Sequence, residues 1–396
     1  MPTHQSKIEK LITDLCSDGV QFVKLGEVLD YEQPTKYQVK SKKYDHSHTT
    51  PVLTAGQSFV LGYTNETDGL YEANENNPVI IFDDFTTSFH WVNFPFKVKS
   101  SAMKILTLLK NVKADFRYIF YAMKCINYSP SSHARQWISK YSEIKIPLPP
   151  LQIQQAIVKV LDTFTELEAE LEAELEARKK QYEYYRDEVL DFDKNIEMNS
   201  LGEIGRLIRG NGLQKKDFVD EGIGCIHYGQ IYTYYGTYAD RTKSFVSIEL
   251  SKKLKKAHMG DVLIAGVSEN IEDVCKPLAW LGEEICISGD MFAFRHNQNA
   301  KFITYLLQTT NFQKYKERFA QGAKVIRVKT DKILDFKIPV PPLSEQQHIV
   351  SILDKFDALV NDISIGLPAE IEARRKQYEH YRSRLLTFEE YKEPAL

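Results

Sequence analysis

Basic residues cluster in three short polar stretches of this chain, with tyrosines interleaved in the first two. Lys36, Tyr37, Lys40, Lys42, Lys43 and Tyr44 make the first. Arg206, Arg209, Lys215 and Lys216 begin the second, with Tyr228, Tyr232, Tyr234 and Tyr235 after them; Lys252, Lys253, Lys255 and Lys256 make the third. Turn formers punctuate them, as at Gly210-Asn211-Gly212. A cation in a loop suits a phosphate oxygen, whereas Arg, Asn, Gln and Thr match base edges. On that chemistry the candidates for DNA contact in the first half are Lys36, Tyr37, Lys40, Thr54, Gln57, Thr86 and Ser88. In the second half they are Arg209, Asn211, Lys215, Lys216, His227, Tyr228, Gln230, Ser268 and Asn270. A lysine run is also what a solvated face looks like, and a Tyr-rich strand is often half-buried sheet. Residue type alone leaves both readings open.

Catalytic chemistry finds less support. There is no phosphate-cradling G-x-x-x-x-G-K-[ST] loop, no G-x-G-x-x-G opening a helix, no G-x-S-x-G elbow and no Asn/Asp-Pro-Pro-aromatic element. Glu143-Ile144-Lys145 lacks the preceding Pro-Asp of a nuclease centre. Asp83-Asp84 could hold a metal at a strand end, but the second half carries Ala265-Gly266 at the matching place. His46 and His48 have no obvious further ligands. The five cysteines form no C-x-x-C pair, so neither a disulfide framework nor a zinc site is expected. With no catalytic or metal site expected, the chain reads as a reader or a scaffold and not as an enzyme.

The elements that position these loops come from a repeat. The chain has 396 residues, enough for two or three domains, with 43% hydrophobic and 27% charged residues and a net charge of −3. Residues 145–161, KIPLPPLQIQQAIVKVL, return at 337–353 as KIPVPPLSEQQHIVSIL, 192 residues later. EARKKQYEYYR, Glu176 to Arg186, returns as EARRKQYEHYR, Glu372 to Arg382, 196 residues later. Weaker echoes precede these in the same order: Leu25-Gly26-Glu27 with Leu201-Gly202-Glu203, Val52 to Gln57 with Cys225 to Gln230, and Val79-Ile80-Ile81 with Val262-Leu263-Ile264. The reading is a diverged head and a retained tail, written twice. Head one with an N-terminal helix takes 1–150, tail one 151–193, head two 194–342 and tail two 343–396. Short β-like runs (58–63, 79–82, 231–235, 261–264), then one amphipathic helix near 114–124 and another near 299–309, make each head α/β and the fold class α+β.

The tails read as helices. Pro147-Leu-Pro-Pro150 and Pro339-Val-Pro-Pro342 force an extended lead-in. After them a 3,4 spacing runs through Ile157, Leu161, Phe164, Glu168, Leu171, Leu175, Arg178, Tyr182, Tyr185 and Val189, the pattern of a coiled-coil seam. The second copy runs Ile349, Leu353, Phe356, Val360, Ile363 and Leu367, then resumes at Ile371 after a stutter at Gly366-Leu-Pro368 that should break it. A helix over 152–192 is about 60 Å long. Two such seams in one chain predict antiparallel pairing. Residues 166–177 write Glu-Leu-Glu-Ala three times. Without these six glutamates the chain is net positive, and DNA would be repelled here. Adding or removing one unit changes the length by about 6 Å, close to two base pairs at ~3.4 Å each, so the rod reads as a spacer.

The twice-written I-P-x-P-P-L-x-x-Q-Q-x-I-V-x-x-L-D, the E-A-R-[KR]-K-Q-Y-E-x-Y-R and the Leu-Gly-Glu starts resemble the specificity subunit of type I restriction-modification systems. The resemblance covers essentially the whole chain. It implies two target recognition domains, one per half of a bipartite, asymmetric site in double-stranded DNA, held apart by two conserved helical spacers. It implies docking of two modification (methyltransferase) subunits on the spacers, through Gln154, Gln155, Arg178 and Tyr182 on one and Gln346, Gln347, Arg374 and Tyr378 on the other. It places adenine methylation with S-adenosylmethionine in those subunits, and ATP- and Mg-dependent translocation and cleavage in restriction subunits, with no cofactor in this chain. Two readers on one face of B-DNA sit about one turn apart, ~34 Å or a multiple, within reach of such a rod. The acidic rod and negative net charge motivate an alternative, a coiled-coil scaffold with two ligand modules and no DNA role. No apolar run approaches the ~18 residues that cross a bilayer, and the N-terminal MPTHQSKIEK has no apolar signal core. The expectation is a soluble, cytoplasmic protein with no membrane partner.

Overall fold

The computed structural model describes residues 2–41, 43–45, 47–56, 58–130, 134–192, 196–361 and 366–391. It divides into two compact units. One takes Met1–Glu168 and Arg374–Leu396, the other Ala169–Ala373. Among the described residues no helix is long and apolar enough to cross a membrane.

In the first unit a four-stranded sheet has the order Leu29–Glu32, Met103–Leu108, Val79–Asp83, Phe89–Val92. A three-stranded sheet sets Thr50–Leu53 between Val60–Thr64 and Lys97–Val98, with Val52 opposite Lys97 in parallel. The second unit repeats this plan. Its larger sheet runs Gly205–Arg209, Met291–His296, Val262–Ala265, Pro277–Trp280, Tyr238–Ala239. Its smaller one sets Ile223–Ile226 between Ser244–Val246 and Ile285–Ile287, the latter also flanked by Lys256–Ala257, with Cys225 opposite Cys286 in parallel. The echoes between Val52 and Cys225 and between Val79 and Val262 thus mark equivalent strands. Val79 to Phe82 and Val262 to Ala265 are unbroken apolar runs because both faces of these strands are buried.

The β reading of 231–235 is overturned: Tyr228–Thr233 is a short helix. His227 caps it through Nδ1, which accepts from the Gly229 N–H at 3.3 Å, while Gln230 Oε1 accepts from the His227 N–H at 2.9 Å. This reciprocal cap outweighs the strand preference of three tyrosines.

The Leu-Gly-Glu echo has a local cause. Phe22–Lys24 pairs antiparallel with Lys145–Pro147, and Met198–Ser200 with Lys337–Pro339. Each ribbon turns into a single helical turn, Leu25–Val28 or Leu201–Ile204. The leucine is buried. The glutamate accepts from the backbone N–H that precedes the turn, Lys24 to Glu27 at 2.9 Å and Ser200 to Glu203 at 2.6 Å. A Cβ on Gly26 would press on Ser142 at 3.3 Å.

The first tail is one helix, Leu151–Val189, about 58 Å long. In the second the described residues form two helices, Leu343–Asn361 and Leu367–Leu385, the latter starting within the Gly366-Leu-Pro368 stutter, where proline is tolerated in a first turn. The expected seam position Ile363 lies outside the described residues. Within each unit the tails pair antiparallel. In the first, Phe164 stacks on Tyr381 at 5.3 Å and Glu168 meets Arg375 at 2.6 Å. In the second, Tyr185 stacks on Phe356 at 5.9 Å and the Tyr182 hydroxyl faces Asp357 at 3.4 Å. Ile157, Leu161 and Phe164 are buried as the seam requires, but Leu171 and Leu175 are only half-buried and Arg178 is exposed. The first unit closes on itself where the Val20 N–H donates to Glu389 O and the Tyr391 N–H to Val20 O, at 2.8 and 2.9 Å.

Candidate nucleic-acid interface

In both units the sequence-derived candidates among the described residues lie on loops that follow the C-terminal ends of equivalent strands, drawn from both sheets of the unit. In the second unit these loops are tied backbone to backbone: Gly210 N–H to Met291 O, Ser288 N–H to Ile226 O and Gly266 N–H to Asp290 O, at 2.8 to 3.2 Å. Arg209 is exposed and donates from Nε to Gly289 O at 3.1 Å. Asn211 is spent locally, donating to Lys253 O at 3.0 Å and accepting from the Lys255 N–H at 2.7 Å, which holds the third lysine stretch beside the second. Lys215 and Lys216 lie exposed on a single turn. Burial, with help from nearby Lys215, lowers the His227 pKa, and its Nδ1 caps the helix. Tyr228 donates its N–H to Ser288 Oγ at 3.0 Å. Gln230 bonds Ser244 and its own cap, and Asn270 bonds Asp273 within its turn. Ser268 is buried and exchanges two backbone bonds with Ile326.

In the first unit the corresponding loops are joined by Lys99 N–H to Leu53 O at 3.0 Å, Asp84 N–H to Ala102 O at 3.2 Å and His90 Nε2 with Gly56 O at 2.9 Å. Lys36 and Lys40 are exposed and paired with Glu32 and Asp68 at 2.7 and 3.2 Å; the Glu32 hydrogen bond raises the Lys36 pKa. Tyr37 packs edge-on to Tyr71 at 4.8 Å. Thr54 Oγ1 accepts from the Gly56 N–H, and Thr86 and Ser88 share a hydroxyl bond of 2.7 Å beside Thr87, whose φ is 61°. Gln57, like Lys42 and His46, lies outside the described residues. The acidic pair has other work. Asp83 Oδ1 accepts from the Phe85 and Thr86 N–H groups, while buried Asp84 accepts from the Gln136 and Trp137 N–H groups and faces Lys104 at 3.6 Å.

Three of the docking candidates are turned inward, which corrects their assignment. Gln154 and Gln346 are buried. Each accepts the N–H of a head-helix cap, Asp115 to Gln154 at 2.8 Å and Asn299 to Gln346 at 2.9 Å, and donates back to the proline lead-in, Pro149 O at 2.7 Å and Pro341 O at 2.8 Å. Tyr182 is buried against Asp357. Gln155, Gln347 and Arg178 are exposed, and Arg374 and Tyr378 half-buried. About two turns on from each buried glutamine, Asp162 takes Arg117 at 2.9 Å and the Tyr121 hydroxyl, and Asp354 takes Lys301 at 2.8 Å and the Tyr305 hydroxyl at 2.7 Å. Each head helix is therefore clamped to its own tail by the same set of bonds. The first glutamine of the Q-Q and the aspartate of the L-D carry that signal; the resemblance had implied docking roles for Gln154 and Gln346 and none for Asp162 or Asp354.

A family model described as type I restriction modification DNA specificity domain matches residues 17–177 and again 193–373. The EcoR124I/EcoR124II specificity subunit of Escherichia coli is 42% identical over 402 residues, covering 98% of this chain and 98% of that protein. A putative type I restriction enzyme specificity subunit of Haemophilus influenzae is 29% identical and covers 98% of this chain and 100% of its own length. Among solved structures, the S subunit of a type I restriction-modification system from M. genitalium superposes with a TM-score of 0.50 at 14% identity, covering 93% of this chain and 96% of that one. A chain solved in work on complex assembly and conformational transition of the type I R-M system reaches 0.55 at 16% identity, covering 93% and 97%. With two copies of the domain, two tails clamped alike and likeness along nearly its whole length, the chain belongs to the family of type I restriction-modification DNA specificity subunits.

Proposed function

We propose that each unit reads one half of a bipartite, asymmetric duplex site through these loops. The tail helices set the gap and carry two modification subunits. Those subunits supply adenine methylation with S-adenosylmethionine, and restriction subunits with ATP and Mg supply translocation and cleavage, all in the cytoplasm. What supports this reading is that the two heads share one strand plan while the loops that follow equivalent strands differ in sequence. Different loops on one plan suit two different half-sites, whereas identical heads would suit a palindrome. Each well-made base contact discriminates by ~1–3 kcal/mol, so one head is a weak reader, and joining two raises selectivity through effective concentration. The family match does not support the scaffold without a DNA role. The test is selection from random duplexes by the full chain assembled with its modification subunit. The expected outcome is enrichment of two short, unlike half-sites at a fixed gap; no preference at several salt concentrations rejects the reading.

A further inference from the structure

Beside the loops of the second unit lies a cleft of about 410 Å³, with Gly266, Gly289 and Gly322 among its lining residues. Its cations are Arg209, Arg327 and Lys329, all exposed. Arg209 has Asp290 at 4.0 Å; among the described residues, Arg327 and Lys329 have no carboxylate within ion-pair distance. The segment that carries them is held stiffly. Gln321 and Arg327 exchange two backbone bonds of 2.9 Å, Ile326 exchanges two more with Ser268, and Ile326 and Val328 are buried. Alternation of buried and exposed residues along Val325-Ile-Arg-Val-Lys329 therefore aims both cations outward from a fixed backbone. Asp290 also lines the cleft, beside Arg209, while exposed Gly322 leaves room for a bulky anion next to Arg327 and Lys329, which are free of carboxylate partners among the described residues and set for phosphodiester oxygens.

We infer that this cleft grips the sugar–phosphate backbone of the DNA at the second unit's half-site, with Arg327 and Lys329 as phosphate ligands and no part in reading bases. The assignment rests on the DNA reading above. In the first unit the turn Asp83 to Ser88 is held differently, by the Asp84 carboxylate on the Gln136 and Trp137 N–H groups.

The test measures binding of the full chain, assembled with its modification subunit, to the selected duplex and to one with both half-sites scrambled, across a salt series. Arg327→Gln with Lys329→Gln should weaken both duplexes alike and flatten the slope of log K against log salt by about 0.9 per cation removed. Arg327→Lys with Lys329→Arg should keep the slope, and Lys179→Gln with Lys180→Gln, the same charge loss on a tail helix, should leave it unchanged. An unchanged slope in the first variant removes the cleft from the interface. Loss of discrimination between the duplexes with the slope retained makes it a base reader and overturns the assignment. Equal binding of both duplexes by the unaltered chain instead fails the DNA-specificity reading itself.

Discussion

His296 ends the interior strand Met291–His296 with Nδ1 accepting from the Gln298 N–H at 3.0 Å and Nε2 buried without a partner. Burial pushes its pKa down to about 4, against an ordinary value of ~6.5. A histidine whose pKa falls on folding contributes stability above its unfolded pKa and loses it as pH falls through the folded one. The second unit should therefore lose up to about 3 kcal/mol between pH ~6.5 and ~4, and His296→Gln should flatten that loss in melts followed against pH. Gln346 offers a second test. Gln346→Ala leaves the Asn299 N–H and Pro341 carbonyl buried and unpaired, a cost of about 1–3 kcal/mol for each such group. The chemical-denaturation midpoint should fall with its slope unchanged; an unaltered midpoint would remove the clamp from the stability of the fold. That clamp was legible only as a motif. The Q-Q and L-D spacing stood out twice, but whether a glutamine on a helix faces in or out depends on a head helix nearly fifty residues upstream, which no local pattern reports.

At the scale of elements, the tails were the readable part. Proline sets where they start, a heptad pattern sets what they are, and Gly366-Leu-Pro368 marks where the last helix starts. The seam's half-buried middle was not readable, because a heptad assigns faces without supplying a partner at every position. The heads gave up less. Their strands are short, and the segment Tyr228–Thr233 looked like sheet until His227 and Gln230 were seen capping a helix. Glu166 to Ala177 belongs to the long helix, with its glutamates exposed except for half-buried Glu168. Deleting one Glu-Leu-Glu-Ala unit shortens a helix by about 6 Å and turns its continuation by about 40°. Selection with the deletion variant should return the same two half-sites at a new gap. Full methylation at the original gap would count against a spacer whose length matters.

At the scale of the whole molecule, the two heads share a strand plan while their loop sequences differ, and the proposed readout predicts that the heads are interchangeable modules. Replacing residues 198–342 with the corresponding head of another family member should alter one half-site and leave the other intact, provided that the incoming helix retains a cap for Gln346 and partners for Asp354. If both half-sites change, the heads do not read independently. The duplication itself was plain in the sequence. Which loops come together was not, since strands far apart in the chain are made neighbours only by the sheet order.

The closure of Val20 against Glu389 and Tyr391 carries a consequence for biogenesis. The second unit is one continuous stretch and has all its residues once the ribosome passes Ala373. The first unit, though begun earlier, cannot finish until Leu385 and Leu386 emerge to cover Ile153, Ile157 and Leu161, which share their apolar cluster. The half translated first is thus the half that matures last, and a nascent chain stopped short of its final helix would leave that greasy surface open to chaperones and proteases.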